Sequence, residues 1–157
     1  MEKPAIYVET SVVSYLVARP SRDLIVAAHQ QLTVAWWQDQ RQNYDLFVSQ
    51  IVVDEARAGD PESAAKRIAT IADLGLLEIN EEAVRLAQSL IKSHAVPEKA
   101  AQDALHISVA CVGSMDYLLT WNCKHIANAR MRSAIEKTCR TAGYASPIIC
   151  TPEELED

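Results

Sequence analysis

Short runs of β-branched and aromatic residues alternate along this chain with longer stretches whose apolar residues recur every three or four positions, and few architectures satisfy that alternation. Strand followed by helix, repeated, closes into a parallel sheet covered on both faces. The pattern predicts a strand at Ala5–Val8, then a helix over the apolar stretch Val12–Val17 with Thr10 and Ser11 as capping candidates. After the break Arg19-Pro20-Ser21, the residues Leu24, Ala27, Leu32, Ala35 and Trp36 mark one face of a helix from Asp23 to Gln40. A strand at Asp45–Ser49, a short helix at Gln50–Ala58, a helix at Glu62–Asp73 opened by Pro61 and a strand at Leu76–Ile79 follow. The second half continues with helices at Glu81–His94 and Pro97–Val112, a strand at Tyr117–Thr120, a helix from about Cys123 to Ala142 and a strand at Pro147–Cys150. Glycines and prolines fall mostly at the joints, and no linker or internal repeat interrupts the order. The expectation is a single α/β domain built on a parallel sheet of about four to five strands.

Composition narrows what such a domain could do. With 157 residues, 49% of them hydrophobic and 23% charged, the chain can bury a core without disulfides and lacks the composition of a disordered protein. No apolar run approaches the roughly eighteen residues of a bilayer helix, and the start MEKPAIYVETS has neither the apolar length nor the cleavage site of a secretion signal. A cytoplasmic protein without membrane contact is expected. The net charge of −6 excludes a general polyanion binder, so any nucleic-acid contact needs a local basic patch or a bound cation. Cys111, Cys123, Cys139 and Cys150 form no close pair of the zinc-knuckle or redox type and read as reduced, mostly buried thiols.

Ligands of open parallel sheets bind beyond the carboxyl ends of the strands, which draws attention to Glu9 after the first strand and Asn122 after Tyr117–Thr120. Each also has a plainer use: Glu9 can precede the cap of its helix, and Asn122 can cap the helix that follows. Helical geometry sharpens two further acids. At about 100° per residue, with Ile51 at ~0° and Val52 at ~100°, Glu55 falls near ~40°, between apolar neighbours, whereas Asp54 near ~300° lies on the flank near Arg57. An inward carboxylate is costly unless a cation or hydrogen-bond donors meet it.

On the helix from Pro97, with Ala100 at ~0°, Asp103 lies near ~300° and His106 near ~240°. Asp103 then sits about two turns from the helix start, too deep for the helix dipole, and a hydrogen-bonded Asp103–His106 pair is its structural alternative. Were Glu9, Glu55 and Asp103 to meet at one end of the sheet, their repulsion would call for a divalent cation, and oxygen ligands without a supporting histidine or cysteine triad select magnesium or manganese.

Four segments in order, YVETSVVSYL, SQIVVDEA, QDALHISVA and YLLTWNCKHIANA, resemble the successive motifs of PIN-domain nucleases, most closely the VapC-type toxins of prokaryotic toxin–antitoxin pairs. The resemblance runs from Ile6 to Ile149, nearly the whole chain, and implies one PIN-like domain over residues 1–157. It implies a magnesium- or manganese-dependent endoribonuclease that leaves 5′-phosphate and 3′-hydroxyl ends, with Glu9, Glu55 and Asp103 as metal ligands and Asn122 at the fourth catalytic position. Thr10, Ser11, Thr120, His125 and Asn128 become supporting or phosphate-side groups. A small antitoxin that wraps the toxin and a toxin homodimer are further implications. Most PIN sequences carry aspartate in place of Glu9 and often in place of Asn122; the longer glutamate and the uncharged amide imply a variant site in which a second metal is weakly held.

From Cys123 to Ala142, Lys124, Arg130, Arg132, Lys137 and Arg140 face a single acid, Glu136, a local excess of +4 beginning beside Asn122. That run reads either as a guide for an RNA backbone, with Lys124 and Arg130 nearest the site, or as a solvated helix face. Trp36 and Trp37 point about 100° apart, so at least one belongs to the core while the other is free for stacking or a partner. The apolar residues of the helix Asp23–Gln40 offer a groove for an amphipathic partner helix. Two rival readings accompany the nuclease: a PIN scaffold that binds antitoxin or RNA without turnover, and a receiver-like signalling domain. The latter needs a phosphorylatable aspartate where this chain has Glu9.

Overall fold

The computed structural model describes residues 2–156. Five strands, β1 (Ala5–Val8), β2 (Asp45–Ser49), β3 (Gly75–Leu77), β4 (Tyr117–Leu119) and β5 (Ile148–Cys150), form one parallel sheet in the order β3-β2-β1-β4-β5. The helices are α1 (Thr10–Val17), α2 (Leu24–Asp39), α3 (Gln50–Ala56), α4 (Pro61–Ile71), α5 (Glu81–Lys92), α6 (Ala101–Val112) and α7 (Ala129–Thr141). α1 packs with α2, α3 and α4, while α5 packs with α6 and α7, giving the two covering layers that the sequence alternation requires. Central β1 has neighbours on both sides: Ile6 pairs with Leu46 and with Tyr117, and Ile6, Tyr7 and Val8 are wholly buried. No helix among the described residues is long and apolar enough to cross a membrane.

Element by element, the sequence expectation shifts mainly at the ends. β3 begins at Gly75, not Leu76, because Gly75 pairs with Phe47 and a Cβ there would lie 2.4 Å from the Phe47 ring. α1 begins at Thr10, so Glu9 is itself the N-cap, its carboxylate accepting the Ser11 N–H at 3.2 Å. Two corrections bear on the site. The stretch from Pro97 opens with a 3₁₀ turn at Glu98–Ala100, and α6 starts only at Ala101, so Asp103 lies in its first turn, within reach of the dipole and not two turns deep. The helix expected from Cys123 starts at Ala129. Asn122 Oδ1 takes the His125 N–H at 3.0 Å to form a preceding turn, and Asn128 caps α7 through the Arg130 N–H.

Strand order reverses at β1: the chain leaves it toward β2 on one side and returns to β4 on the other. The crevice between the carboxyl ends of β1 and β4 is therefore the topological switch point, where open α/β sheets bind ligands.

Candidate functional site

Glu9 is the first residue beyond β1, with 5% of its surface exposed. Three donors hold it: Ser11 Oγ and Thr120 Oγ1, each 2.5 Å from Oε1, and the Ser11 N–H to Oε2. Ser11 Oγ in turn accepts the Trp121 N–H at 2.8 Å, and Thr120 Oγ1 accepts the Asn122 N–H at 2.9 Å. The segment after β4 is thereby tied to the segment after β1 through a buried carboxylate. The side chains that do this are the hydroxyls of Ser11 and Thr120.

Glu55 reaches the same crevice from α3, half-buried, while its neighbour Asp54 is exposed, as the helical angles predict, and accepts from Gln50, not Arg57. Glu55 Oε1 accepts from Thr10 Oγ1 at 2.5 Å and meets His106 Nε2 at 2.7 Å. Burial on its own would raise the Glu55 carboxyl, but the hydrogen bond and charge of His106 together with the Thr10 hydroxyl hold it below the ordinary glutamate value. Behind His106, its Nδ1 lies 2.7 Å from the Tyr7 hydroxyl, which lies 2.8 Å from Ser49 Oγ, and all three residues are buried. Burial pushes the Tyr7 phenol far above its usual value, with Glu9 and Glu55 adding to the shift, so Tyr7 stays protonated.

Asp103 is joined to the crevice through Asn122, whose Nδ2 donates to Asp103 Oδ1 at 3.0 Å; His125 Nδ1 lies 3.1 Å from Oδ2. The expected Asp103–His106 alternative is not formed, since His106 bonds Glu55 and Tyr7 instead. Among the described residues, the donor atoms that fall within 4.8 Å of one another come from Glu9, Glu55 and His106. Asp103 is outside that trio. Sequence reasoning assigned His106 no part in the site, although a histidine on an otherwise apolar helix must find polar partners, and Tyr7 in a central strand likewise.

The remaining expected residues divide by contact. Thr10, Ser11 and Thr120 hold the carboxylates, and His125 meets Asp103. Both ends of the Asn128 amide are engaged locally, with Arg130 N–H and with the carbonyls of Cys123 and Lys124. Lys124 and Arg130 are exposed on the turn and at the start of α7, and among the described residues no lysine or arginine pairs with Glu9, Glu55 or Asp103. Trp36 is core, its Nε1 donating to Leu155 O, while Trp37 is half-buried beneath the Arg41 guanidinium. A shallow groove of about 330 Å³ runs between α1 and α2, lined by residues that include Tyr15, Leu16, Ala27, Val34 and Ala35.

The donor set suits a hard divalent cation. Two carboxylates converge with one imidazole and with no lysine or arginine paired to them among the described residues, and Cys111, Cys139 and Cys150 are not among the converging donors.

No family model matches the chain, and no curated protein matches it. Solved structures do. A chain of VapBC2 from Rickettsia felis, solved bound to a DNA fragment from its promoter, superposes with a TM-score of 0.61 at 13% identity, covering 94% of this chain and 98% of that one. A chain of VapBC-1 from nontypeable Haemophilus influenzae gives a TM-score of 0.58 at 13% identity, with coverage of 95% and 98%. At that identity the likeness is one of fold: the chain has a PIN-like α/β architecture.

Proposed function

We propose that this chain is a divalent-metal-dependent endoribonuclease, the toxin half of a toxin–antitoxin pair. The observation that carries the reading is the convergence of Glu9 and Glu55 at the switch point of a PIN-like sheet, secured by neutral hydroxyls and a histidine, with no lysine or arginine to cancel their charge among the described residues. Glu9, Glu55 and Asp103 hold magnesium or manganese, with Asn122 at the fourth catalytic position. The cation supplies an activated water and charge stabilisation at the scissile phosphate. Thr10, Ser11 and Thr120 orient the carboxylates, and His125 steadies Asp103. Lys124 and Arg130 draw the RNA backbone toward the crevice through phosphate contacts, which position the substrate without reading its sequence. The apolar groove between α1 and α2 receives an amphipathic helix of the antitoxin.

The test is cleavage of RNA by the purified chain with magnesium or manganese. Asp103→Asn should abolish cleavage with the fold intact, and excess EDTA should do the same to the unaltered protein. Full activity in either case rejects the mechanism.

One observation favours a second reading, a binding scaffold without turnover: the Asn122 amide occupies Asp103 Oδ1, an oxygen that a working site would turn toward the metal. Glu9→Asp combined with Asn122→Asp separates the two, since a scaffold gains cleavage from the restored aspartates and a working variant site does not depend on them.

A further inference from the structure

We propose that His106 is a positioning residue for Glu55 and not a metal ligand, held in that role by the buried chain Ser49–Tyr7–His106. The inference rests on the reading of Glu55 as a metal-binding carboxylate, but the assignment of the histidine nitrogen does not depend on RNA cleavage.

His106 Nε2 is one of the three converging donor atoms, so by proximity alone it could be a ligand. Its hydrogen-bond partners decide otherwise. The 2.7 Å approach of Nε2 to Glu55 Oε1 requires a proton between them, and an ionised carboxylate can only accept, so the proton is on Nε2. While Glu55 Oε1 keeps that bond, the Nε2 lone pair is not open to a metal. On the far side of the ring, Nδ1 and the Tyr7 hydroxyl are 2.7 Å apart, and Tyr7 and Ser49 are 2.8 Å apart. With a neutral ring, Ser49 donates to Tyr7 and Tyr7 donates to Nδ1; with a charged ring both bonds reverse. Both arrangements leave Nε2–H facing Glu55 for as long as that carboxylate accepts from it.

Ser49 supplies an independent sign that the chain is maintained for the site. It occupies the N-cap position of α3, where a serine hydroxyl ordinarily bonds the first free N–H groups, yet it makes no capping bond and faces Tyr7 instead. A stabilising interaction on α3 is forgone while the other end of the same short helix presents Glu55. Oε1 of Glu55 already accepts from both Thr10 and His106, and Oε2 has no protein donor among the described residues. The chain thus fixes the carboxylate by one oxygen and leaves the other to a cation, the arrangement in which outer partners set the orientation of a metal-binding carboxylate.

The experiment combines histidine ¹H–¹⁵N NMR with calorimetry on the full chain. In the unaltered protein the His106 ¹⁵N pattern should show protonated Nε2, and it should remain so when Mg²⁺ is added. His106→Gln, which returns an N–H donor near the same place, should keep Mn²⁺ affinity within about threefold and RNA cleavage within about tenfold. His106→Ala should weaken Mn²⁺ binding and cleavage by roughly 10–100-fold. Tyr7→Phe should leave Nε2 protonated, since Glu55 still accepts from it, but free the ring to turn, with an intermediate loss of Mn²⁺ affinity. Loss of the Nε2 proton on adding metal, or equal loss of Mn²⁺ affinity in the Gln and Ala variants, overturns the proposal in favour of a ligand. Unchanged Mn²⁺ affinity in folded His106→Ala overturns it in favour of a purely structural histidine. If the unaltered protein binds Mn²⁺ yet cleaves no RNA, the nuclease reading fails and the positioning role stands; if it binds no metal, both fail.

Discussion

At the amino-terminal edge of the sheet, Asp116 accepts the Ala5 N–H at 2.8 Å from an exposed position, and Asp73 faces Arg41 across 3.5 Å of largely solvated space. At the carboxyl edge, Glu9 is buried and Glu55 half-buried, each with one oxygen taken by two donors. The first pair of acids needs little support because water screens them. The second pair is wholly or partly withdrawn from water and is answered by three hydroxyls, the Ser11 N–H and His106, with no lysine or arginine beside it among the described residues. A protein selected only for stability would meet buried carboxylates with arginine or replace them with apolar side chains. Charge is thus concentrated out of water at one end of the sheet without a lysine or arginine beside it among the described residues, and screened by water at the other.

The largest effect belongs to catalysis. Glu9→Gln keeps the shape and one acceptor oxygen for the Ser11 and Thr120 hydroxyls, gives up the bond from the Ser11 N–H and removes a charge, and should lower RNA cleavage by about 100-fold or more. Its metal-free unfolding midpoint should change little, because the relief of two like charges sharing the crevice offsets the lost N-cap bond of α1. Asp116→Asn at the other edge should leave cleavage within about twofold. Equal losses from the two substitutions, measured as cleavage rates at saturating manganese, would erase the contrast. Next comes Thr120→Val, which removes a buried donor to Glu9 and the acceptor of the Asn122 N–H. It should cost roughly 2 kcal/mol in urea unfolding, and a cost near zero would mean the hydroxyl is not supporting the carboxylate.

How much of this was legible in the sequence follows from the range of each interaction. Periodicity and helical angles reported the alternation and the inward direction of Glu55 against the outward Asp54, because those depend on the local chain alone. The partner of His106 was not legible. Angles along one helix give relative directions but not which neighbouring element each direction meets, so an Asp103–His106 pair stays open as an alternative in the sequence, whereas the two side chains reach Asn122 and Glu55. The 3₁₀ turn at Glu98–Ala100 compounded this by shifting the start of α6 and bringing Asp103 into its first turn. Likewise Tyr7 read as an ordinary strand residue, since a hydroxyl bonded across 42 residues to Ser49 and 99 to His106 leaves no local trace.

Acid exposes the contrast without mutation. The Glu55 carboxyl lies below the ordinary glutamate value in the folded protein, so the folded state binds its proton less readily than the unfolded chain does. The stability it contributes is complete above the unfolded value of about 4.5 and is lost as pH falls through the lower, folded value. Measured by urea unfolding without metal, the unaltered protein should therefore lose more stability than Glu55→Gln between pH 6 and pH 3. The opposite ordering would mean that burial dominates and the donors around Glu55 do not compensate it.

The smallest effect is expected where the two edges differ most in solvation. Asp73→Ala removes the partner of Arg41, but the Asp73 side chain is 72% exposed and the Arg41 guanidinium keeps its place 4.3 Å over the Trp37 ring. The change should cost less than about 1 kcal/mol in urea unfolding and should shrink further in high salt, which screens an exposed pair. A loss comparable to that of Thr120→Val would show the amino-terminal edge to be as tightly coupled as the carboxyl one. The retained charge at the crevice would then cease to be a local exception, and the case for a cation there would have to rest on the geometry of Glu9 and Glu55 alone.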